Sequence, residues 1–543
     1  MTNGQKSPNS TKVLLVYPRF NGGSFWNYRA ACEVVGAKYP APPLGLITVA
    51  AMLPDAWDIR LIDCNAETLE DDHIDWADMV MTGGMLNQQW ETLQIIERCK
   101  ARGTVSVVGG PDVTSSPQFY ASADFKVIGE AEGVIDAFIA AWANGERQGS
   151  FTAEKFTADV TASPLPRFDL LNLKHYTQVG VQFSRGCPFV CEFCDIIELY
   201  GRRPRMKTNA QMMREIETLY ESGYRGAVDF VDDNLIGNKK AVKAFLTELL
   251  PWQKARGFPF TFSTEASINL ADDDELLQLL SGCGFYGLFV GIESPDPEIL
   301  VATRKKQNTR RDIVASIQKI YDAGIYVTAG FIVGFDGEKK GVDEEIVKLI
   351  EEAAIPVAMV GLLYALPNTQ LTRRLTAEGR LHAMHDEDVG KGEDQCINGL
   401  NFETLRPRHE ILSDYRAVVA RIYDPEVYGA RVLRMVKRLK LADMPIFTAS
   451  LPGELLQAAR MAWNITRHYP QERGIFWRTL AQCVRLGPAT IRPAMQMLAI
   501  YLHLGPYARY IIQEIDAQLV EIERQPASAI TPKGEQLAVA VSA

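Results

Sequence analysis

Positive charge is in short supply. The 543 residues carry 57 Lys and Arg against 67 Asp and Glu, for a net charge of −10 and a pI near 5.4. A general nucleic-acid binder normally has a basic domain, so that class is set aside. Long apolar runs are missing too. No stretch reaches the roughly 18 to 20 uninterrupted apolar residues that a membrane span needs. The opening MTNGQKSPNSTK has no apolar run of signal-peptide type, so a cytoplasmic location is expected. Cysteine is sparse: nine residues, an odd and unevenly spaced set that makes no disulfide framework. No G-x-S-x-G element is present. GLLYALPNT lacks the Gly-Lys-Ser/Thr ending of a phosphate loop. There is no low-complexity tract and no repeat beyond a strand–helix period. What remains is an ordinary globular-enzyme composition, 47% apolar and 23% charged, too long for one core. Two to four domains are expected.

From residue 12 to 150, strand-like and helix-like pieces alternate. KVLLVYP, DIRLID, ADMVMTGG, TVSVVGG and FKVIGE read as strands. PPLGLITVAAMLP and NQQWETLQIIERCKARG read as helices, the latter with Trp90, Leu93, Ile96 and Glu97 on neighbouring turns. Such alternation implies a doubly wound, Rossmann-like parallel sheet. Ligands bind such sheets at the carboxyl ends of the strands. The loops there are DCNAE (63–67), TGGM (82–85), GGPD (109–112) and GEAE (129–132), whose glycines let backbone approach a ligand closely. Tight turns alone would also explain them.

A Pro-rich joint, SPLPRFDLL, marks a linker over 151–172. Over 173–370 the alternation resumes. VGVQFS, GAVDFVDD, FPFTFSTEAS, YGLFVGIES, YVTAGFIVGF and VAMVGLLYALP are its strands. Six βα units suggest a complete or partial TIM barrel, with its active site at the carboxyl ends of the strands. Beyond 371 the strand signal fades into a mainly helical region to 525. The ends, 1–11 and 526–543, have little to bury and are expected to be disordered.

Three cysteines, Cys187, Cys191 and Cys194, crowd into FSRGCPFVCEFCDI directly after the first of these barrel strands. A closed zinc site needs four ligands, and the nearest histidines are His175 and the distant His382. An iron–sulfur cube held by three cysteines leaves one iron open to a chelator. Zinc, or three coincidental core cysteines, are the competing readings.

C-x₃-C-x-aromatic-C after the first barrel strand resembles the signature of radical S-adenosylmethionine enzymes, here Cys187, Cys191, Phe193 and Cys194. The resemblance implies a 4Fe–4S cluster whose open iron binds S-adenosylmethionine, with Phe193 beside the adenine. It makes Asp232, Asp233 and Asn234 candidates for the methionine amino group. Glu265 and Ser267 become candidates for the ribose or methionine carboxylate, with Glu293 and Ser294 as further polar contacts. GFIVGF (330–335) resembles the strand near the adenine. Glu338 falls one place late and is left unassigned. For each of these polar residues the plain alternative is a solvated strand end.

The first domain resembles the cobalamin-binding domain of the cobalamin-dependent members. Asp63, Asn65, Gly83, Gly84, Gly109, Gly110, Gly129 and Glu130 are the implied cobalamin contacts. Family domains of the best-known kind carry Asp-x-His-x-x-Gly. Here Asp63-Cys64-Asn65-Ala66-Glu67 offers no histidine to cobalt. Over 12–435 the chain resembles the subfamily that includes hopanoid C-2 methylases.

That resemblance implies methyl transfer to an unactivated carbon. One S-adenosylmethionine methylates cobalamin. A second is cleaved to a radical that takes a hydrogen, and the resulting carbon radical collects the methyl. A small-molecule or lipid substrate and an external one-electron reductant are implied, with hopanoid C-2 the specific expectation. Rivals are another radical outcome on the same scaffold (cyclisation, oxidation, or methylation of a tetrapyrrole or antibiotic precursor) and a non-catalytic cobalamin or cluster sensor. Two segments combine basic and apolar stripes: Arg431, Arg434, Lys437, Arg438 and Lys440, then AMQMLAIYLHLGPYARYII (494–512). A membrane surface takes such helices, so peripheral contact at the inner face of a membrane is one reading. Core helices with solvated basic faces are the favoured one, because Gly505-Pro506 is expected to break the run.

Overall fold

Val13 to Val16 are buried without interruption. A strand hides successive residues, which point to opposite faces, only in the middle of a covered parallel sheet. These residues form β1 (Lys12–Tyr17) of a computed structural model that describes residues 10–382, 395–440 and 451–524. Around β1 stand β2 (Asp58–Asp63), β3 (Met79–Gly83), β4 (Val105–Gly109), β5 (Phe125–Ile128) and β6 (Gly149–Thr152). All pair in parallel, in the order β2-β1-β3-β4-β5-β6. The order reverses at β1/β3, the switch point where doubly wound sheets hold ligands. β6 was not anticipated; GSFT is too short and polar to announce a strand.

The second sheet contains β7 (Gln178–Val181), β10 (Gly226–Phe230), β11 (Phe260–Glu265), β12 (Phe285–Glu293), β13 (Tyr326–Val333) and β14 (Ala358–Leu362), in sequential order. β7 and β14 are its edges, so the barrel is partial and open on one side. VGVQFS does not run as one strand. β7 stops at Val181, and β8 (Ser184–Arg185) turns away to pair antiparallel with β9 (Arg205–Met206). The cause is Asp232, whose carboxylate accepts from the Phe183 and Ser184 amides at 3.0 and 2.5 Å. β8 and β9 bracket the cysteine loop.

Helices follow from Gln370 on. They do not form a separate core. Tyr415, Val418, Tyr428, Val432, Tyr501 and Ile511 share one apolar cluster with the barrel strands. The last three, Leu451–His468, Arg473–Leu486 and Ile491–Arg524, also close around Val34 of the first domain.

One expectation for this region fails, and a second holds in part. Ile491–Arg524 runs unbroken through Gly505-Pro506. A mid-helix proline costs about 3 kcal/mol. Burial of Tyr501, Leu502, Leu504 and Tyr507 around it, at about 1.5–3 kcal/mol per large apolar side chain, outweighs that cost. The basic stripe is a solvated face only in part. Arg431 is fully buried and, with Arg434, grips Glu351. Arg438 donates to the Glu352 carbonyl, and Lys440 meets Asp322 at 3.2 Å. Glu351 and Glu352 end helix Val342–Ala353, whose dipole favours cations there. Lys437 and Lys440 stay in solvent. The ends 1–9 and 525–543 lie outside the described residues.

Candidate active site between the two sheets

The carboxyl ends of both sheets face one cavity of about 2460 Å³. That is more than twice the upper end of an ordinary small-ligand pocket. On one side it is lined by Tyr17, Thr82–Met85, Gly109–Pro111 and Gly129–Glu132; on the other by Gln182, Arg185, Asp229 and Glu265. Its side wall comes from Leu44, Val49, Met461, Ile491 and Ile500. No lining residue among those described is a histidine.

At the first sheet the glycines are needed. A Cβ on Gly83 would stand 2.1 Å from the Gly109 carbonyl, and Gly110 and Gly129 have φ of +95° and +90°. Thr82 Oγ1 is buried at this wall without a hydrogen-bond partner. Small, open backbone and an idle hydroxyl fit a large ligand with polar side arms such as cobalamin. Asp63 and Asn65 do not line the cavity. Asp63 accepts from Asn65 and from Tyr176 Oη at 2.9 Å, while Asn65 bonds the Phe20 amide and the Pro18 carbonyl. They fasten loops below the site. Glu130 does line it, but its carboxylate pairs with Arg185 and Arg205, at 3.1 and 2.8 Å.

The cysteine loop is held from beneath. Asp233 accepts from the Gly186 amide at 2.9 Å, and Asp232 pins Phe183 and Ser184 as above. Both carboxylates hold the loop, Asp232 with both oxygens and Asp233 with one. Gly186 has φ +94°, and a Cβ there would lie 2.8 Å from the Gly201 carbonyl. Asn234 Nδ2 donates to Cys187 Sγ at 3.8 Å and Gln307 Nε2 to Cys191 Sγ at 3.6 Å. Burial holds the Cys187 and Cys194 thiols above their ordinary range. Such thiols become thiolate ligands when a metal displaces the proton. Among the described residues no three His, Cys, Asp or Glu side chains converge on a single ion, whereas the three sulfurs share one loop. That donor set fits a cluster, in which each sulfur binds its own iron, better than zinc.

Beside the loop, Phe193 packs on Phe335 with centroids 5.7 Å apart. Lys305 Nζ lies 5.9 Å from the Phe193 centroid and 2.7 Å from Glu293 Oε1. Burial alone would lower the Lys305 ammonium, but Glu293 and Cys191 carry it above its usual range. Gly291 makes room for this pair: its Cβ would meet Glu293 Oε1 at 2.3 Å. Ser267 hydrogen-bonds Asn234 and Asn269. Ser294 Oγ accepts from the Asp296 amide and shapes the turn after β12. Glu265 projects into the cavity, wetted there yet walled by protein. Burial first, then Asp229, pushes its carboxyl up to about 8.

Sequence reasoning missed Lys305, Gln307 and Arg185. Arg185 stood inside the quoted motif; Lys305 and Gln307 lie in a polar turn with no pattern. Glu338, left unassigned, is buried. It accepts from the Gly334 amide at 2.8 Å, and burial raises it to about 7.

A doubly wound sheet set against an open barrel, with three cysteines at the barrel mouth, defines the class of radical S-adenosylmethionine enzymes that also bind cobalamin. The Radical SAM superfamily matches residues 181–353, the B12 binding domain 33–139, and a domain of unknown function, DUF4070, 369–517. An uncharacterized methyltransferase of Synechocystis is 43% identical over 94% of each chain. The hopanoid C-2 methylase of Rhodopseudomonas palustris is 35% identical over 86% of each. In fold, the cobalamin-dependent S-adenosylmethionine radical enzyme OxsB aligns over 97% of this chain and 82% of its own, with a TM-score of 0.57 at 17% identity. The radical methyltransferase TsrM of Kitasatospora setae aligns over 81% and 92%, with a TM-score of 0.54 at 16% identity. The chain belongs to the cobalamin-dependent radical S-adenosylmethionine methyltransferases, in the subfamily that contains hopanoid C-2 methylase. It is an enzyme whose cofactors are a 4Fe–4S cluster, S-adenosylmethionine and cobalamin, and the sensor reading is withdrawn.

Proposed function

We propose that the chain transfers a methyl group to an unactivated carbon of a large, mainly apolar molecule, and that C-2 of a hopanoid lipid is the substrate position. One observation carries the reading. The cavity continues from the glycine loops down the open side of the barrel to the opposite strand ends, at Ser222–Gly226, Phe258–Pro259 and Gly324. Barrel strands of four to nine residues bound it, so at about 3.3 Å per residue it is roughly 20 Å long. Its walls are mostly apolar, interrupted by Arg225, Asp229, Glu265, Tyr286, Tyr326 and Arg492. An elongated ring system with few polar groups suits that lining. The 35% identity to hopanoid C-2 methylase points the same way.

Residues 12–150 are the proposed cobalamin-holding unit, with Gly83, Gly84, Gly109, Gly110 and Gly129 as its open backbone. Residues 173–370, joined through 151–172, hold the cluster through Cys187, Cys191 and Cys194. Residues 371–525 close the side. Phe193, Asn234, Ser267, Glu265 and Glu293 are the proposed S-adenosylmethionine contacts. When bound, these cofactors supply hydrogen abstraction and a transferable methyl. The protein's own tasks are alignment and exclusion of water. An external one-electron reductant completes the system. Among the described residues no helix is long and apolar enough to cross a membrane.

The test is expression in a hopanoid-producing host without its own C-2 methylase. A lipid one methylene heavier, methylated at C-2, is expected. A product that loses hydrogen would move the chain to another radical reaction. Unchanged hopanoids would end the substrate assignment.

A further inference from the structure

The hairpin of helices Leu451–His468 and Arg473–Leu486 turns outward a face that the chemistry above does not use. On the first helix, exposed positions 456, 459, 460, 463, 466 and 467 have the spacing of one continuous stripe, with 457 and 468 exposed beside it. Leu456 is 72% and Trp463 67% exposed. On the second helix Trp477 and Val484 stand two turns apart at 46% and 54% exposure, and Leu486 follows at 45%. The two stripes are one surface, because Trp477 Nε1 donates to Thr466 Oγ1 at 2.9 Å, one turn from Trp463. The reverse sides hold Met461, Ile465, Phe476 and Leu480 in the core. The wetted apolar groups are therefore not a frayed interior.

Charge is distributed unevenly in the same direction. From Leu456 to Leu486 there are five arginines and one acid, Glu472, in a chain of net charge −10. Glu472 is buried and paired with Arg509 at 3.2 Å. Arg467, Arg473 and Arg485 lie on the exposed side. Tryptophan at a water–hydrocarbon boundary, flanked by arginine, is the chemistry of a bilayer interface. A second copy of this face would instead bring arginine against arginine.

We propose that this face docks on an anionic lipid bilayer. The cavity lies directly behind it. Gln457, Ala458 and Met461 of the first helix, and Pro488 and Ala489 just after the second, line the cavity wall. The docking goes beyond the proposed function and does not depend on it, so it is tested without substrate, reductant or turnover.

Full-length protein is floated with vesicles of phosphatidylcholine containing phosphatidylglycerol, and with phosphatidylcholine alone. Flotation with the anionic vesicles, weakening as salt rises, is expected. Trp463→Ser with Trp477→Ser should lower the bound fraction at least tenfold. Arg467→Gln and Arg485→Gln should each lower the partition coefficient about fivefold. Neither the tryptophans nor these arginines line the cavity, so circular dichroism and cobalamin content should not change. Absence of flotation, or flotation indifferent to both sets of variants, overturns the proposal. So does a lipid-free dimer in sedimentation velocity that Trp463→Ser dissolves, since this face would then join two copies.

Discussion

Glu338 is 5% exposed, with one carboxylate oxygen on the Gly334 amide and the other without a partner. Burial raises its pKa from 4.5 to about 7. The folded chain then holds this proton where the unfolded chain has released it. Stability is accordingly greatest below about pH 4.5 for this group and falls as pH rises toward 7, by up to about 1.4 kcal/mol per unit. The expected outcome for Glu338→Gln is a shallower decline of the unfolding midpoint from pH 5 to 7, measured on apoprotein at one scan rate. An unchanged slope would remove Glu338 from this role. The Lys305–Glu293 pair gives a second residue-level expectation. Its side chains are 12% and 10% exposed. Removing one partner of such a pair strands a buried charge, at about 3–5 kcal/mol. Lys305→Met alone should destabilise by that order, and Lys305→Met with Glu293→Gln should recover most of it. Urea unfolding of these two, of Glu293→Gln alone and of the parent closes the cycle; additive losses would mean that the pair is not coupled.

Among elements, the cysteine loop shows what a sequence discloses. Its ligand pattern is local, so Cys187, Cys191, Phe193 and Cys194 were legible at once, as were the βα periods of both sheets. The supports of the loop are not local. Asp232 and Asp233 reach it from β10, and Gln307 and Lys305 from beyond β12. No spacing announces which oxygen will meet which amide, so the hold of the two aspartates on the loop was not legible. The same holds for β8, cut from β7 by a side chain 48 residues away. Helix Ile491–Arg524 defeated its local rule because burial of the surrounding side chains exceeds a proline's cost. Gly186 is the element's most exacting position. At φ +94°, with the Gly201 carbonyl 2.8 Å from any Cβ, Gly186→Ala must displace the loop. We expect it to fold, with the far-UV spectrum of the parent, but to hold less than half the iron per chain after reconstitution. Full iron content would show that the loop tolerates the shift.

For the whole molecule, the question is how two cofactor-bearing sheets keep a fixed distance. Most of the joint is apolar and indifferent to orientation. Arg185 and Arg205 are the directional part, and Arg185 lies nearest the cysteines. It stands two residues before Cys187, and its guanidinium meets Glu130 at 3.1 Å and Glu132 at 2.7 Å on the loop after β5. Arg185 is 13% exposed and the two glutamates 5% and 7%. Burial alone would raise Glu132, yet the Arg185 hydrogen bond holds it below the ordinary carboxylate range. Planar, bidentate pairing of this kind fixes angle as well as separation. Arg185, with Arg205 beside it on Glu130, thus links the loop that would carry the cluster to the loop that would face cobalamin. Truncating it should leave each half intact and spoil only their alignment. For Arg185→Met we expect iron and cobalamin content near those of the parent and continued release of 5′-deoxyadenosine. Methylated product per deoxyadenosine should fall at least tenfold, since a misplacement of about 1 Å in such a site costs on the order of a hundredfold. Arg185→Lys, which keeps the charge but not the fork, should fall nearly as far. A merely structural role would lower product and deoxyadenosine together, and an unchanged ratio in both variants would refute the coupling.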